Sequence, residues 1–310
     1  GHYEFWMGRE HLEIGYNAGQ FHHGKRKDPE LIKQCLEHGL LLDLGLTART
    51  GNVAYKPFGK WGIVFALRDK HHEITGLYFR STLNDKNQRH FYLKNRQGLY
   101  PNYPKPTTRR LILTESIIDA ASLLLEKKIT SNYEILALYG TNGLTKEHTE
   151  AISQLKELEE IIFFLNGDEA GVTATENYGE MLKADYPKLT VSKVEVPKDE
   201  DVNSLLQGHS TEILHHLINT RKECNFFFSP GGEPPQATIF LSTEEPEQAQ
   251  KHTPSAEKKK EQSPSKTKGL NTDNPYNLKY NGNTANYQIK GFKTQQLDSL
   301  KITLNIQVSC

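Results

Sequence analysis

Short apolar runs alternate with helix-patterned stretches through the middle of the chain. The apolar runs have the length of buried strands, and they lie at 111–113, 134–138, 160–165 and 191–196. The stretches between them carry apolar residues at helical spacing, and they lie at 116–128, 146–158 and 169–184. Strands that alternate with helices imply right-handed crossovers. The pattern therefore predicts an α/β fold with a Rossmann-like parallel sheet over 108–208.

The chain before this region lacks the alternation and is typical of an α+β subdomain. A short helix is predicted over 29–38, and two strands are predicted at 61–67 and 74–79 around a turn at 68–70. The proline-rich stretch 100–106 indicates a stiff linker. We therefore expect a subdomain over 1–107, with a boundary near 107.

Downstream of the sheet region, the pattern predicts a closing helix, a disordered linker and a partial β segment. The helix is expected from His209 to Arg221, within a closing unit over 209–228. Residues 229–268 are rich in Pro, Ser, Glu and Lys, which predicts disorder. In 269–310 only two stretches alternate like strands. Two strands alone are marginally stable, so this end is expected to need a partner or further sequence.

Composition excludes several classes of protein. The chain has 36% hydrophobic residues and no apolar run of about 18 residues, so no membrane span is expected. Its N-terminal residues lack the features of a signal peptide, and we expect a cytoplasmic protein that is a piece of a longer one. The three cysteines and the adjacent histidine pairs lack metal-ligand spacing, so no zinc is expected.

The formal net charge of zero conceals a segregation of charge along the chain. Residues 1–110 hold 18 Lys and Arg against 10 Asp and Glu, a net of +8. Residues 111–220 hold 8 against 19, a net of −11. A basic block beside an acidic one suggests a bound polyanion and bound metal ions. Two ordinary solvated surfaces remain an equal alternative.

Acidic residues follow three of the predicted strands. Glu115 and Asp119 follow the first strand, Asp168 follows the third, and 199–201 follow the fourth. Reactive groups gather at the carboxyl ends of strands in open parallel sheets. Clustered carboxylates favour Mg²⁺ or Mn²⁺. The alternative interpretation of each acid is a helix cap.

The order and spacing of these motifs resemble a known family. Residues 111–120 (LILTESIIDA), 138–143 (LYGTNG) and 163–171 (FFLNGDEAG) look like the TOPRIM domain of DnaG-type bacterial primases. Residues 201–206 resemble the acidic motif that follows in this family. Motifs in 8–16 and 64–95 resemble the basic subdomain of the same primases. The resemblance covers about residues 5–208.

The resemblance implies roles for individual residues. Glu115 would act near the 3′-hydroxyl or as a general acid or base, with Asp168 as a second catalytic carboxylate. The implied metal ligands are Asp119, Asn166, Asp168 and Asp201. The residues implied to line a groove for template, primer or triphosphate are Arg9, Arg68, Arg80, Arg89, Lys94 and Arg96.

Two departures from the family pattern bear on these roles. The family has Asp where this chain has Asn166, which removes one negative charge and should weaken metal binding. The zinc finger that these primases carry before the catalytic core is absent from the sequence. Priming without a pre-existing primer is therefore the activity that the resemblance supports least.

The resemblance implies a primase-like nucleotidyltransferase, that is, a DNA-directed RNA polymerase. It would join ribonucleoside triphosphates on a single-stranded DNA template with Mg²⁺ or Mn²⁺, in the replication of a plasmid or other mobile element. A replicative helicase is a further implied partner. One alternative is a TOPRIM nuclease or topoisomerase-like enzyme that cleaves phosphodiesters. Another is a catalytically silent nucleic-acid-binding module.

Overall fold

A computed structural model describes most of the first 224 residues and four short strands near the C-terminus. The described residues are 14–20, 28–48, 51, 53–83, 89–198, 200–224, 269–271, 277–281, 285–290 and 303–308. Arg9, Asp199 and the predicted disordered linker 229–268 lie outside the described residues.

The N-terminal region is built on an antiparallel sheet. Its strands are β1 (Ile14–Asn17), β4 (Gly62–Arg68), β5 (Ile74–Ser81) and β6 (His90–Tyr92), in the spatial order β1-β4-β5-β6. The helix α1 (Pro29–Glu37) and a two-stranded ribbon of β2 (Leu41–Thr47) and β3 (Val53–Pro57) complete this region. The predicted helix and the predicted strand pair are both confirmed.

The central region is a five-stranded sheet in the order β11-β10-β9-β7-β8. The strands are β7 (Arg110–Thr114), β8 (Glu134–Ala137), β9 (Glu160–Phe164), β10 (Thr190–Lys193) and β11 (Lys222–Glu223). Strands β7 to β10 are parallel, as predicted, and β11 pairs antiparallel to β10. The α/β fold class with a parallel sheet is therefore confirmed.

The helices around this sheet are α2 (Ile117–Leu124), α3 (Lys127–Thr130), α4 (Lys146–Ser153), α5 (Glu169–Asp185), α6 (Val202–Gly208) and α7 (Glu212–Asn219). The prediction of one continuous helix over 116–128 was wrong, because α2 ends at Leu124 and α3 begins after a new N-cap at Glu126. Helix α7 is shorter than predicted, and the chain beyond it returns to the sheet as β11. None of the described helices combines the length and apolar composition that a membrane span requires.

The C-terminal segment forms a second antiparallel sheet. Its strands are β12 (Gly269–Asn271), β13 (Asn277–Asn281), β14 (Ala285–Lys290) and β15 (Thr303–Val308), paired in chain order. The prediction of two strands was thus wrong, because β12 has only three residues and β13, although it alternates polar and apolar residues, has only two apolar ones. Four paired strands satisfy the backbone donors that two strands would leave open.

Both faces of the parallel sheet are buried. Leu111 and Phe163 lie in the core on one face, and Ile112 and Ile162 lie in the core on the other. The second of these cores also contains Phe65, Leu67, Tyr78 and Tyr100 of the N-terminal region. The two regions therefore share one core, which fixes the antiparallel sheet beside the carboxyl end of β7.

Candidate functional site

Glu115 lies where β7 ends and before α2 begins. Its side chain is half-buried, and its carboxylate accepts a hydrogen bond from the backbone N–H of Asn166 at 3.4 Å. The pKa of Glu115 is raised to about 7, mainly by burial and in part by the charges of Asp168, Asp119 and Asp201. The structure therefore places Glu115 where the negative charges of the other three predicted acids act on it.

Asp119 lies in the first turn of α2 and is 3% exposed. Its Oδ2 accepts a hydrogen bond from Ser116 Oγ at 2.6 Å, and its Oδ1 accepts one from the backbone N–H of Asn203 at 3.1 Å. Burial raises the pKa of Asp119 to about 6, and the charge of Asp201 also raises it. The carboxylate thus joins α2 to the start of α6, and little of its surface remains for a solvent-borne ligand.

Asp168 and Asp201 are both N-cap residues. Asp168 Oδ1 accepts from the N–H of Gly171 at 2.8 Å, and Asp201 Oδ1 accepts from the N–H of Ser204 at 2.6 Å. The helix-cap interpretation of these two acids is therefore correct. It does not exclude ligand binding, because each cap uses one of two carboxylate oxygens and Asp168 is exposed.

The backbone joins the loops that carry these acids. The N–H of Gly140 donates to the carbonyl of Glu115 at 2.9 Å, and the N–H of Gly167 donates to the carbonyl of Glu200 at 3.0 Å. A Cβ on Gly167 would lie 2.2 Å from the carbonyl oxygen of Pro197, so only glycine fits between the loops after β9 and β10. These contacts fix the spacing of the carboxylates.

The acidic edge has the donor chemistry of a divalent-cation site. Among the residues that the structure describes, no three His, Cys, Asp or Glu side chains form a group that could hold a metal ion alone. Mg²⁺ in proteins usually takes one or two carboxylates and keeps water or phosphate oxygens as its other ligands. Glu115 and Asp168 fit a cation held in this way, since its charge would relieve the repulsion among the four acids.

The basic residues divide into two groups in the structure. Arg96 lies over the rings of Tyr92 and Tyr139, with its guanidinium carbon 5.0 and 4.6 Å from the ring centroids. Because Tyr139 follows β8 and Tyr92 belongs to β6, Arg96 lies at the boundary of the two regions. Arg80 lies on β5, the strand next to β6, and its guanidinium donates to Nε2 of His90 on β6 at 2.6 Å.

The other predicted groove residues that the structure describes differ in their surroundings. The guanidinium of Arg68 donates to the carbonyl of His72, within the turn between β4 and β5. Arg89 and Lys94 are exposed. Arg9 lies outside the described residues.

Three residues beside this site, Tyr78, His90 and Tyr139, were not among the residues that the sequence predicted. Tyr78 Oη lies 2.6 Å from His90 Nδ1, and the pKa of Tyr78 is raised to about 12, mainly by burial and in small part by the charge of Asp119. Tyr139 packs against both Tyr92 and Arg96. The signal available in the sequence was the alternation of Tyr78 and Arg80 along one strand, which places both on the same face.

Comparisons with known proteins support the fold class. A Toprim-like family model matches residues 112–206, which contain all four acids. A curated DNA primase from Borreliella burgdorferi is 26% identical over 232 residues, which are 70% of this chain and 40% of the primase. The chain therefore corresponds to less than half the length of that relative.

Solved structures show the same fold. A DNA primase domain from Pseudomonas aeruginosa matches with a TM-score of 0.53 and 19% identity, covering 68% of this chain and 67% of that one. A DnaG primase catalytic domain bound to single-stranded DNA matches with a TM-score of 0.53 and 18% identity, covering 68% and 66%. The resemblance to DnaG-type primases with a TOPRIM domain is confirmed.

Proposed function

We propose that this chain is the catalytic part of a primase-like nucleotidyltransferase that synthesises short RNA on single-stranded DNA. One observation carries the proposal: the charges of Asp168, Asp119 and Asp201 all act on Glu115 at the carboxyl end of a Toprim-like sheet, beside an N-terminal region that carries Arg80 and Arg96. Template-directed polymerisation needs both groups within one site, because the nucleotide is polyanionic and the template backbone carries charge.

The residues would divide the work by their position. Glu115 and Asp168 would hold Mg²⁺ or Mn²⁺, and Asp201 would add negative charge beside them. When bound, such a cation supplies Lewis-acid activation of phosphate and of the attacking hydroxyl. Glu115, whose pKa is raised to about 7, can accept or return a proton at its carboxylate near neutral pH.

Other residues of the chain would position these groups. Asp119 holds α2 against α6 through its bonds to Ser116 and Asn203, and so keeps the loop of Glu115 in place. The planar guanidinium of Arg96 is fixed by two aromatic rings and would meet phosphate oxygens without first losing side-chain entropy. The whole protein's template preference and its use of a helicase are outside this proposal.

The test is a labelled-ribonucleotide assay with single-stranded DNA and Mg²⁺ or Mn²⁺. The wild-type chain should yield labelled oligoribonucleotides, and E115Q should lower the yield by about 100-fold or more, as expected for loss of a proton-transfer group. E169Q is the matched control, because Glu169 is an exposed acid next to Asp168 and should be tolerated. Shortened DNA would instead support a nuclease, and binding without either product would support a silent module.

A further inference from the structure

Two tyrosines lie side by side at the centre of the C-terminal sheet. Tyr280 of β13 lies directly opposite Tyr287 of β14, and these strands are the two inner strands of the four. Their ring centroids are 6.1 Å apart, and the ring planes are tilted by 45°. Tyr280 is 46% exposed and Tyr287 is 37% exposed. The two rings, which we call the tyrosine pair, therefore face solvent on one side of the sheet.

The face that carries the tyrosine pair is apolar at the neighbouring positions. Leu278 and Ile289 oppose each other two residues from the tyrosines, so these four side chains point to the same side. Lys279 and Gln288 oppose each other one residue from the tyrosines and point to the other side. Leu278 and Ile289 are partly buried, so of the four apolar side chains the two rings are the more exposed.

An apolar partner and a nucleic acid can both cover exposed rings, and the charge of the chain distinguishes them. Residues 251–310 hold 10 Lys and no Arg against 4 Asp and Glu, a net of +6. Lys279 is exposed on the sheet itself. A basic segment attracts a polyanion and contributes nothing to the binding of an uncharged apolar surface. Charge complementarity therefore favours a nucleic acid.

The spacing of the rings favours a single strand over a duplex. In a duplex the bases of each strand are about 3.4 Å apart along the axis and stay stacked on one another. Rings whose centroids are 6.1 Å apart would take bases that are splayed from each other. Four-stranded sheets that bind single strands stack successive bases on aromatic rings in this way, and the stacking tolerates any sequence because every base has a π-face.

We propose that the tyrosine pair is a binding site for single-stranded nucleic acid, with one base stacked on each ring and the lysines of 251–310 attracting the backbone. Neither tyrosine is among the groove residues that the sequence motifs implied. The site involves none of the acids of the Toprim-like sheet. It goes beyond the proposed function, because it gives the chain a contact with a strand that is separate from the residues of the proposed chemistry.

Fluorescence anisotropy with a labelled oligothymidylate of about 12 nucleotides tests the stacking. Y280A and Y287A should each bind about 10-fold more weakly, the loss expected for one stacked base. Y280F and Y287F keep the rings and should bind like wild type. The control L46A removes an exposed leucine (66%) from β2 and should leave the affinity unchanged. An oligouridylate of the same length shows whether RNA or DNA is the preferred strand.

Salt titrations and a duplex separate stacking from attraction by charge. Y280A should leave the slope of log affinity against log salt unchanged, because the substitution removes no cation. A DNA duplex of the same length should bind equally well to wild type and to Y280A, since its bases are already stacked on one another. An equal loss of affinity for the duplex would overturn the stacking role of the ring.

Hydrogen–deuterium exchange locates the bound strand on the chain. The oligothymidylate should slow amide exchange in wild-type peptides that cover β13 and β14, and this protection should disappear in the double variant Y280A/Y287A. Exchange without the oligonucleotide shows whether the double variant keeps the sheet. If the wild-type chain binds the oligonucleotide and these peptides gain no protection, the inference is overturned whether or not the double variant folds.

The outcomes separate this inference from the proposed function, because binding requires no catalysis. If Y280A and Y287A bind like wild type while the wild-type chain makes RNA, the inference fails and the proposed function stands. If the chain makes no RNA but both variants lose affinity, the reverse holds. Sedimentation velocity tests a second copy as the occupant. A wild-type dimer that Y280A converts to a monomer without loss of oligonucleotide affinity would make this face an interface between copies and overturn the inference.

Discussion

The acidic edge of the parallel sheet and the basic face of the antiparallel sheet are held in place by different means. Asp168 and Asp201 are fixed by backbone N–H groups of their own helices, within three residues of each carboxylate. Arg80 is fixed by His90 on another strand, ten residues away in sequence. Local geometry therefore positions these two carboxylates, whereas strand register positions Arg80.

The difference predicts how each region responds to substitution. Changes at the acidic edge should alter chemistry through small shifts of tightly bonded loops. Changes at the basic face should alter binding, because its side chains are exposed and are held by a few side-chain contacts. The following substitutions test this contrast, in order of decreasing expected effect.

G167A should have the largest effect, because its Cβ would lie 2.2 Å from the carbonyl oxygen of Pro197. The backbone must shift, which moves Asn166 and Asp168 relative to Glu115. We expect RNA synthesis to fall about 100-fold, the cost of misplacement by roughly 1 Å. The labelled-ribonucleotide assay measures this, with circular dichroism to confirm folding. The control G15A places its Cβ 3.9 Å from Val64 and should retain activity.

D119N should separate stability from activity at the acidic edge. The folded pKa of Asp119 is raised from 3.8 to about 6, so its buried charge destabilises the fold above pH 6, and this cost disappears below pH 4. Asparagine has the same shape as aspartate but carries no charge, so it avoids the cost of burying one. The Ser116 hydroxyl, which donates to Asp119, can rotate to accept a hydrogen bond from the asparagine amide instead. We expect a gain of about 2 kcal/mol in unfolding free energy at pH 8 and little gain at pH 4.

Urea unfolding in the presence of EDTA measures this gain, and the ribonucleotide assay should show reduced synthesis by the same variant. D43N, which changes an exposed aspartate in the β2–β3 ribbon, is the control. A D119N protein that is less stable than wild type at pH 8 would show that the carboxylate is needed for the fold itself.

R96A should have the smallest effect of the three. It removes a guanidinium stacked between Tyr92 and Tyr139, which we expect to cost about 1 kcal/mol of stability. Steady-state kinetics should show the Michaelis constant for ribonucleotides rising about 5-fold, with little change in turnover, since uniform binding is lost. R96K keeps the charge and loses the planar stacking. If the stability and the Michaelis constant of R96K equal those of wild type, Arg96 acts through its charge alone.

The same contrast explains what could be predicted from the sequence. The placement of Glu115, Asp119, Asp168 and Asp201 after strands was predictable because the apolar runs before them are unambiguous, whereas their roles stay a prediction. The α/β fold class followed from the same runs. The division of residues into units at 107, 208, 228 and 268 stays a prediction.

The contacts of the basic residues could not be predicted, because they depend on which strands pair and in which register. Nothing in the spacing of Arg80 and His90 shows that they face each other across a strand pair. Arg68 is the clearest example. The motif that contains it implied a groove residue, but in the structure its guanidinium donates to the backbone carbonyl of His72 in the turn after β4. Register depends on the turn and on the buried pattern of both strands together, so the spacing of two residues does not encode it.

The core that unites Phe65 and Tyr100 with Ile112 and Ile117 has a consequence for how the chain can be divided. Severing it near residue 107 would leave large aromatic and aliphatic side chains facing water on both fragments. Neither fragment would keep this shared packing, and heating the intact protein should melt both regions in a single calorimetric transition. Any enzyme built on this scaffold must therefore evolve its two halves together.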